Sequence, residues 1–130
     1  MMAARSIKTR KAERPECDLR LARAREFWRA AEALRDLDES ANSIAATYVL
    51  CGIAAADAVC CRRLGEYSRS ENHADAVELL KRVDPSLAPP LSRLVSDKSA
   101  DAYGASTVPA RRVDQTRAAA KKLLDYAEAM

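Results

Sequence analysis

The sequence predicts an all-α fold, an up-and-down bundle of four to five helices, and three observations carry that reading. Residues Ile44 to Cys61 form an eighteen-residue run in which Thr47 and Asp57 are the only clearly polar members. It reads as one helix that is apolar on nearly every side, and such a helix must be covered on nearly every side. Ala is abundant, while the 130 residues include only three Gly and five Pro, so long helices are the natural outcome. No convincing period-2 strand with a hairpin turn is present. The balance of 48% apolar and 32% charged residues is that of a folded domain, not a disordered chain.

The elements follow in order. Residues 1–14 read as a basic flexible arm, and residues 15–130 as a single helical-bundle domain. Pro15 suits the first turn of a helix running to about Leu37, with Glu16 and Asp18 at its positive end. Its apolar stripe holds Ala24, Phe27, Ala31 and Leu34, with Trp28 and Leu37 beside it. Ser40, Asn42 or Ser43 caps the second helix, which contains the apolar run and ends near Gly65. Arg62 and Arg63 in its last turn complement the helix dipole. Residues 65–72 read as a polar loop. Asn72 caps a third helix from His73 to Val83, with Ala76, Val77, Leu79 and Leu80 facing inward. Asp84–Pro85 and Pro89–Pro90 break the chain. A fourth helix spans about Leu91 to Tyr103, with Leu91, Leu94, Val95 and Ala102 as its apolar face. Gly104 ends it. A fifth helix over about 109–129 carries Val113, Thr116, Ala120, Leu123, Leu124 and Ala127. Short connections make neighbouring helices antiparallel.

Charge is distributed unevenly. Residues 1–29 hold nine Lys or Arg and four acids, a balance of +5 against +3 for the whole chain. A basic segment of this kind attracts nucleic acid or an acidic partner, or simply forms a solvated tail and helix face. No apolar stretch follows the first basic residues, so a secretory signal is not expected. A cytoplasmic location is the expectation, with Cys17, Cys51, Cys60 and Cys61 as free, mostly buried thiols. Adjacent Cys60 and Cys61 point about 100° apart on a helix, which disfavours a bond between them. The apolar run is at the lower length limit of a membrane span, but its Ala content and Asp57 make it a bundle helix.

Several chemistries are excluded by the residues present. Gly52, Gly65 and Gly104 stand apart, so there is neither a P-loop nor a dinucleotide-binding glycine motif. A single His and scattered Cys make no zinc constellation, and no metal or cofactor is expected. Asp57 is the lone acid of the apolar helix. It reads as a buried carboxylate paired with an Arg, or as one lining an interhelical site. His73 is the only His, placed at a helix start where the dipole keeps its imidazole neutral. Arg69 lies four residues before it. An Arg to hold phosphate and a His to move a proton would suit RNA cleavage.

Three stretches resemble the HEPN superfamily (higher eukaryotes and prokaryotes nucleotide-binding). The first is Ile53-Ala-Ala-Ala-Asp57-Ala-Val-Cys60. The second is the polar loop leading to His73 and then Ala76-Val77-Glu78-Leu79-Leu80. The third is Lys98-Ser-Ala-Asp-Ala102-Tyr103, followed after a break by Arg111 onward to Ala127. The likeness covers roughly residues 16–129. It implies an up-and-down bundle that commonly dimerises, here through helix 44–64. It also implies binding or metal-independent cleavage of RNA or nucleotides, often in toxin–antitoxin or defence systems with a partner protein from a neighbouring gene. The family's catalytic motif is an Arg, then four to six intervening residues, then the His. Glu66, Tyr67 and Ser68 stand at those positions, and Arg69 is one residue too close.

The leading expectation is therefore a HEPN-like bundle that binds or cleaves RNA or nucleotides. His73 would be the acid/base, Arg69 the phosphate-stabilising group, and Asp57 would orient one of them. Arg20, Arg23, Arg62 and Arg63 are the candidate nucleic-acid contacts. The alternative is a noncatalytic interaction bundle, antitoxin-like or scaffolding, in which the apolar helix serves an interface. A small-ligand pocket lined by Tyr48, Asp57 and Tyr103 is a third option.

Overall fold

Eight elements follow one another along the chain in the computed structural model, which describes residues 7–69 and 73–130 and the side chains of all but 99, 100, 102 and 103 of these. They are β1 (Thr9–Lys11), α1 (Arg14–Asp36), α2 (Ala41–Leu64), β2 (Glu66–Ser68), α3 (His73–Val83), a 3₁₀ turn (Pro85–Leu87), α4 (Ala88–Tyr103) and α5 (Ala110–Ala129). The fold is an all-α helical bundle, with one two-stranded ribbon at its edge.

The centre of the bundle is α2. Ser40 caps it by accepting the Ser43 N–H at 3.2 Å. Gly65 ends it in the left-handed region at φ 72°, its N–H bonded to the Cys61 carbonyl. Half its positions are buried, and it packs on α1, α3, α4 and α5. Gly52 marks a close approach: a β-carbon there would collide with Leu94 Cδ1 of α4 and lie 3.5 Å from Ala120 Cα of α5. The apolar circumference is thus covered from within the chain. Among the described residues only Leu50 and Leu64 remain of it as large exposed apolar side chains, at 40% and 38%. On the same face Ala46, Thr47, Ile53 and Ala54 are half-buried. α2 is also long and apolar enough to cross a membrane, but two thirds of its apolar window is buried in the bundle, as in a core helix.

Around α2, α1 runs antiparallel, bringing Cys17 to Cys61 and Arg20 to Asp57. Pro15 occupies its first turn as expected, and Cys17, Leu21, Ala24 and Ala31 are buried. Leu37 lies past the helix end and is 72% exposed, so it does not join the stripe. Asp38 completes the turn at φ 54°, a conformation that a short polar side chain tolerates. The buried stripe of α5 is the expected one with Ala119 added. Leu79, Leu80, Leu87, Leu91, Leu94 and Leu123 are fully buried, each contributing about 1.5–3 kcal/mol.

Four expectations are corrected. Residues 9–11 belong not to a flexible arm but to β1, which pairs antiparallel with β2: Thr9 opposite Ser68, Arg10 opposite Tyr67 and Lys11 opposite Glu66. The same pairing replaces part of the 65–72 loop with strand. Its cause is long-range: Gly65 turns the chain back from α2, the Ala12 N–H bonds the Gly65 carbonyl, and Tyr67 is buried beneath. Next, Cys17 and Cys61 are not free thiols but a disulfide with a Cα separation of 5.4 Å; Cys51 and Cys60 are free and buried. Finally, Pro89 and Pro90 do not break the chain but lie in the first turn of α4, which starts at Ala88. A first turn needs no intrahelical N–H donors, so proline is tolerated there. Residues 1–6 of the arm, the Asn72 cap and the side chains of Ala102 and Tyr103 lie outside the described residues.

Candidate functional site

Asp57 sits on the one face of α2 that is not fully covered. Arg20 Nη1 of α1 lies 3.6 Å from its Oδ2. The same guanidinium reaches Glu16 Oε1 at 3.3 Å and stacks 3.5 Å over the Tyr67 ring, and the Tyr67 hydroxyl donates to Glu16 Oε1 at 3.1 Å. Burial pushes the Asp57 carboxyl up to about 6, with the Arg20 charge opposing it. The group is a structural knot joining α1, α2 and β2. No contact among the described residues joins Asp57 to His73 or Arg69, so the expected orienting role of Asp57 is not met by the geometry.

His73 opens α3 and is half-buried. Its Nε2 lies 3.4 Å from Lys98 Nζ on α4. An ammonium can only donate, so this contact is a hydrogen bond in the neutral tautomer that carries its proton on Nδ1. Burial holds the imidazole below its ordinary value, and the Lys98 charge adds to this. Arg69 follows β2 and is exposed, with its backbone N–H bonded to the Lys8 carbonyl at 3.2 Å. Its side chain has no hydrogen bond or ion pair among the described residues. Lys98 is a neighbour of His73 that sequence reasoning missed. It stands in a stretch noted for its resemblance, but nothing in the chain signals a contact across 25 positions.

The four Arg named as nucleic-acid contacts separate into two kinds. Arg20 is occupied as described. Arg62 donates to Asp18 Oδ1 at 2.8 Å and to the Met130 carbonyl at 3.0 Å, fastening α2 to α1 and α5. Arg23 is exposed and bonded to Glu26 at 3.0 Å. Arg63 is exposed and has no ion pair among the described residues. Strand pairing adds residues the sequence placed in the arm. Lys8, Arg10 and Lys11 are exposed on or beside β1 and likewise lack an acidic partner among the described residues. Arg14 approaches Asp18 only at 3.8 Å. Two clefts open here. One of about 680 Å³ is lined by Lys11, Ala12, Glu13, Pro15, Glu16 and Gly65; one of about 150 Å³ is lined by Arg14, Arg62, Arg63 and Met130.

The third option, a ligand pocket, is not built as expected. Tyr48 is fully buried and packs on Trp28 with ring centroids 5.3 Å apart. Nine residues separate it from Asp57, which places the two on opposite sides of α2, about 180° apart. At the far end of α4, buried Asp101 is bound by Arg112 of α5, a pair that closes the bundle. No group of His, Cys, Asp and Glu that would hold a metal ion occurs among the described residues. No protein-family model matches the chain, and no curated protein matches it.

Proposed function

We propose that the protein binds the phosphate backbone of nucleic acid, RNA foremost, through the ribbon end of the bundle. One observation supports this most: Lys8, Arg10, Lys11, Arg63 and Arg69 are exposed around β1, β2 and the end of α2, without acidic partners among the described residues. Elsewhere exposed Arg23, Arg25 and Arg35 are spent on ion pairs with Glu26, Glu128 and Asp114, while exposed Arg29, Arg93 and Arg111 have no ion pair among the described residues and stand singly. Cations left unpaired and grouped at one end form the electrostatic footprint of a polyanion site. The resemblance to the HEPN superfamily points to the same class of ligand.

Binding of a fluorescent single-stranded RNA should weaken steeply with salt. Each phosphate contact to a single strand contributes a slope of about −0.7 in log affinity against log salt. Replacing Lys8, Arg10 and Lys11 with Ala should make the slope shallower by about 2, on that same figure for three contacts. Replacing exposed Arg29, at mid-α1, should leave it unchanged. Affinity that is indifferent to salt, or equal loss from Arg29→Ala, would sink the proposal.

A further inference from the structure

We infer that the Cys17–Cys61 bridge is a redox switch on the ribbon end of the bundle. Bridged, it holds the cations there as a polyanion-binding array; two-electron reduction by a dithiol loosens that array. The inference rests on the backbone-binding reading of this end, and it stands on where the bridge lies. Cys17 is at the start of α1 and Cys61 near the end of α2. Ala12 and Glu13 alone join β1 to α1, and Gly65 alone joins α2 to β2. Both strands therefore spring from the two helix ends that the bridge ties together. Arg63 follows closely on Cys61, and Lys8, Arg10 and Lys11 lie on or beside β1.

β1 is weakly fastened in itself. None of its residues is buried, its flanking Ile7 and Ala12 are only half-buried, and it pairs with β2 from Thr9 to Lys11 alone. A two-stranded ribbon of this kind is marginal in water without support. β2 has an anchor of its own in buried Tyr67 beneath Arg20. At the root of the ribbon the Ala12 N–H donates to the Gly65 carbonyl at 3.0 Å and Arg62 donates to Asp18 at 2.8 Å. Glu13 caps α1 without a side-chain hydrogen bond, and the cleft of about 680 Å³ along Glu13, Pro15, Glu16 and Gly65 adjoins the same turn. The first turn of α1 is thus the part that frays, and its fraying brings a reductant to the bridge, whose two cysteines are buried. A thiolate of the dithiol attacks Cys17 Sγ; the S–S bond breaks, and Cys61 leaves as a thiolate that takes a proton. The second thiolate of the dithiol attacks the mixed disulfide, closes a cyclic disulfide and releases Cys17, which is protonated in turn. Two electrons and two protons have then passed to the bridge. Cys51 and Cys60 are buried thiols pushed up to about 12, which keeps them out of the exchange.

The test is binding of a fluorescent single-stranded RNA by the full chain in oxidised and in reduced dithiothreitol, with helical circular dichroism recorded in each. Reduction should weaken binding by at least about tenfold, because several loosened side chains must be ordered anew on the strand. The salt slope should become shallower by about 2, as for the loss of three phosphate contacts. Amide exchange of residues 9–11 should quicken while that of α2 stays slow. Return to oxidised dithiothreitol should restore binding. Cys17→Ser should bind like the reduced wild type in both buffers, and Cys51→Ala should keep the full response. Equal binding in the two states overturns the inference and leaves the binding proposal standing. A Cys17→Ser variant that still responds to dithiothreitol overturns it as well. So does loss of the helical signal on reduction, since the bridge is then a staple of the whole fold. Salt-dependent binding in neither state removes both proposals.

Discussion

Asp57 shows how much one buried carboxyl can weigh. Its value of about 6 stands above the unfolded value of about 3.9, because burial outweighs the attraction of Arg20. A group raised on folding binds its proton more tightly in the native state. Its contribution to stability is full below about pH 4 and is lost as pH rises through 6. Asp57→Asn keeps the neutral shape and removes the charge. The variant should therefore be more stable than the wild type at pH 8, by about 3 kcal/mol at most, and equal to it near pH 4. Urea unfolding at the two pH values measures this. A less stable variant at pH 8 would mean that the Arg20 pair outweighs desolvation. Asp57 as an Arg-paired buried acid was legible in the sequence, since an ionised carboxyl in an apolar helix needs a partner. The identity of that partner was not, because Arg20 lies 37 residues away on another helix.

Among the elements, α2 sets the geometry of the rest. Its run of small residues lets α4 and α5 come in close, and at Gly52 there is no room for a β-carbon. Gly52→Val would add a branched side chain against Leu94 and Ala120. Overpacking of this kind costs about 1–3 kcal/mol, and a drop in the urea midpoint of that size is expected. A variant as stable as the wild type would show that the helices do not meet there. The span and caps of α2 were readable because Ser40, Gly65 and the apolar run each act locally. The ribbon was not readable. A three-residue strand carries almost no periodic signal, and Thr9–Lys11 become a strand only because Glu66–Ser68 return beside them.

At the scale of the molecule, the Cys17–Cys61 bridge fastens the start of α1 to the end of α2 across 44 residues. Closing a loop of that length stabilises the fold by about 4 kcal/mol on the chain-entropy estimate. Cys51 and Cys60 have thiols pushed up to about 12 by burial, which keeps them inert in the native state. A thiol-specific reagent should find no reactive thiol in the native protein, two after unfolding without reductant and four after reduction. Reduction should lower stability by about the loop-entropy amount. Four thiols on unfolding alone would show that the bridge is absent.

The all-α class, the bounds of most helices and the central place of α2 were determined by the sequence itself. These depend on propensity, capping and periodicity, which act within a few residues of chain. What the tertiary structure decided was which residues meet. It paired Cys17 with Cys61, engaged Arg20 and Arg62 in holding helices together, left Lys8, Arg10, Lys11, Arg63 and Arg69 without acidic partners among the described residues, and set Lys98 beside His73. Each of those outcomes joins positions far apart in the chain, and such contacts are specified by how helix faces pack, not by any local pattern of residues.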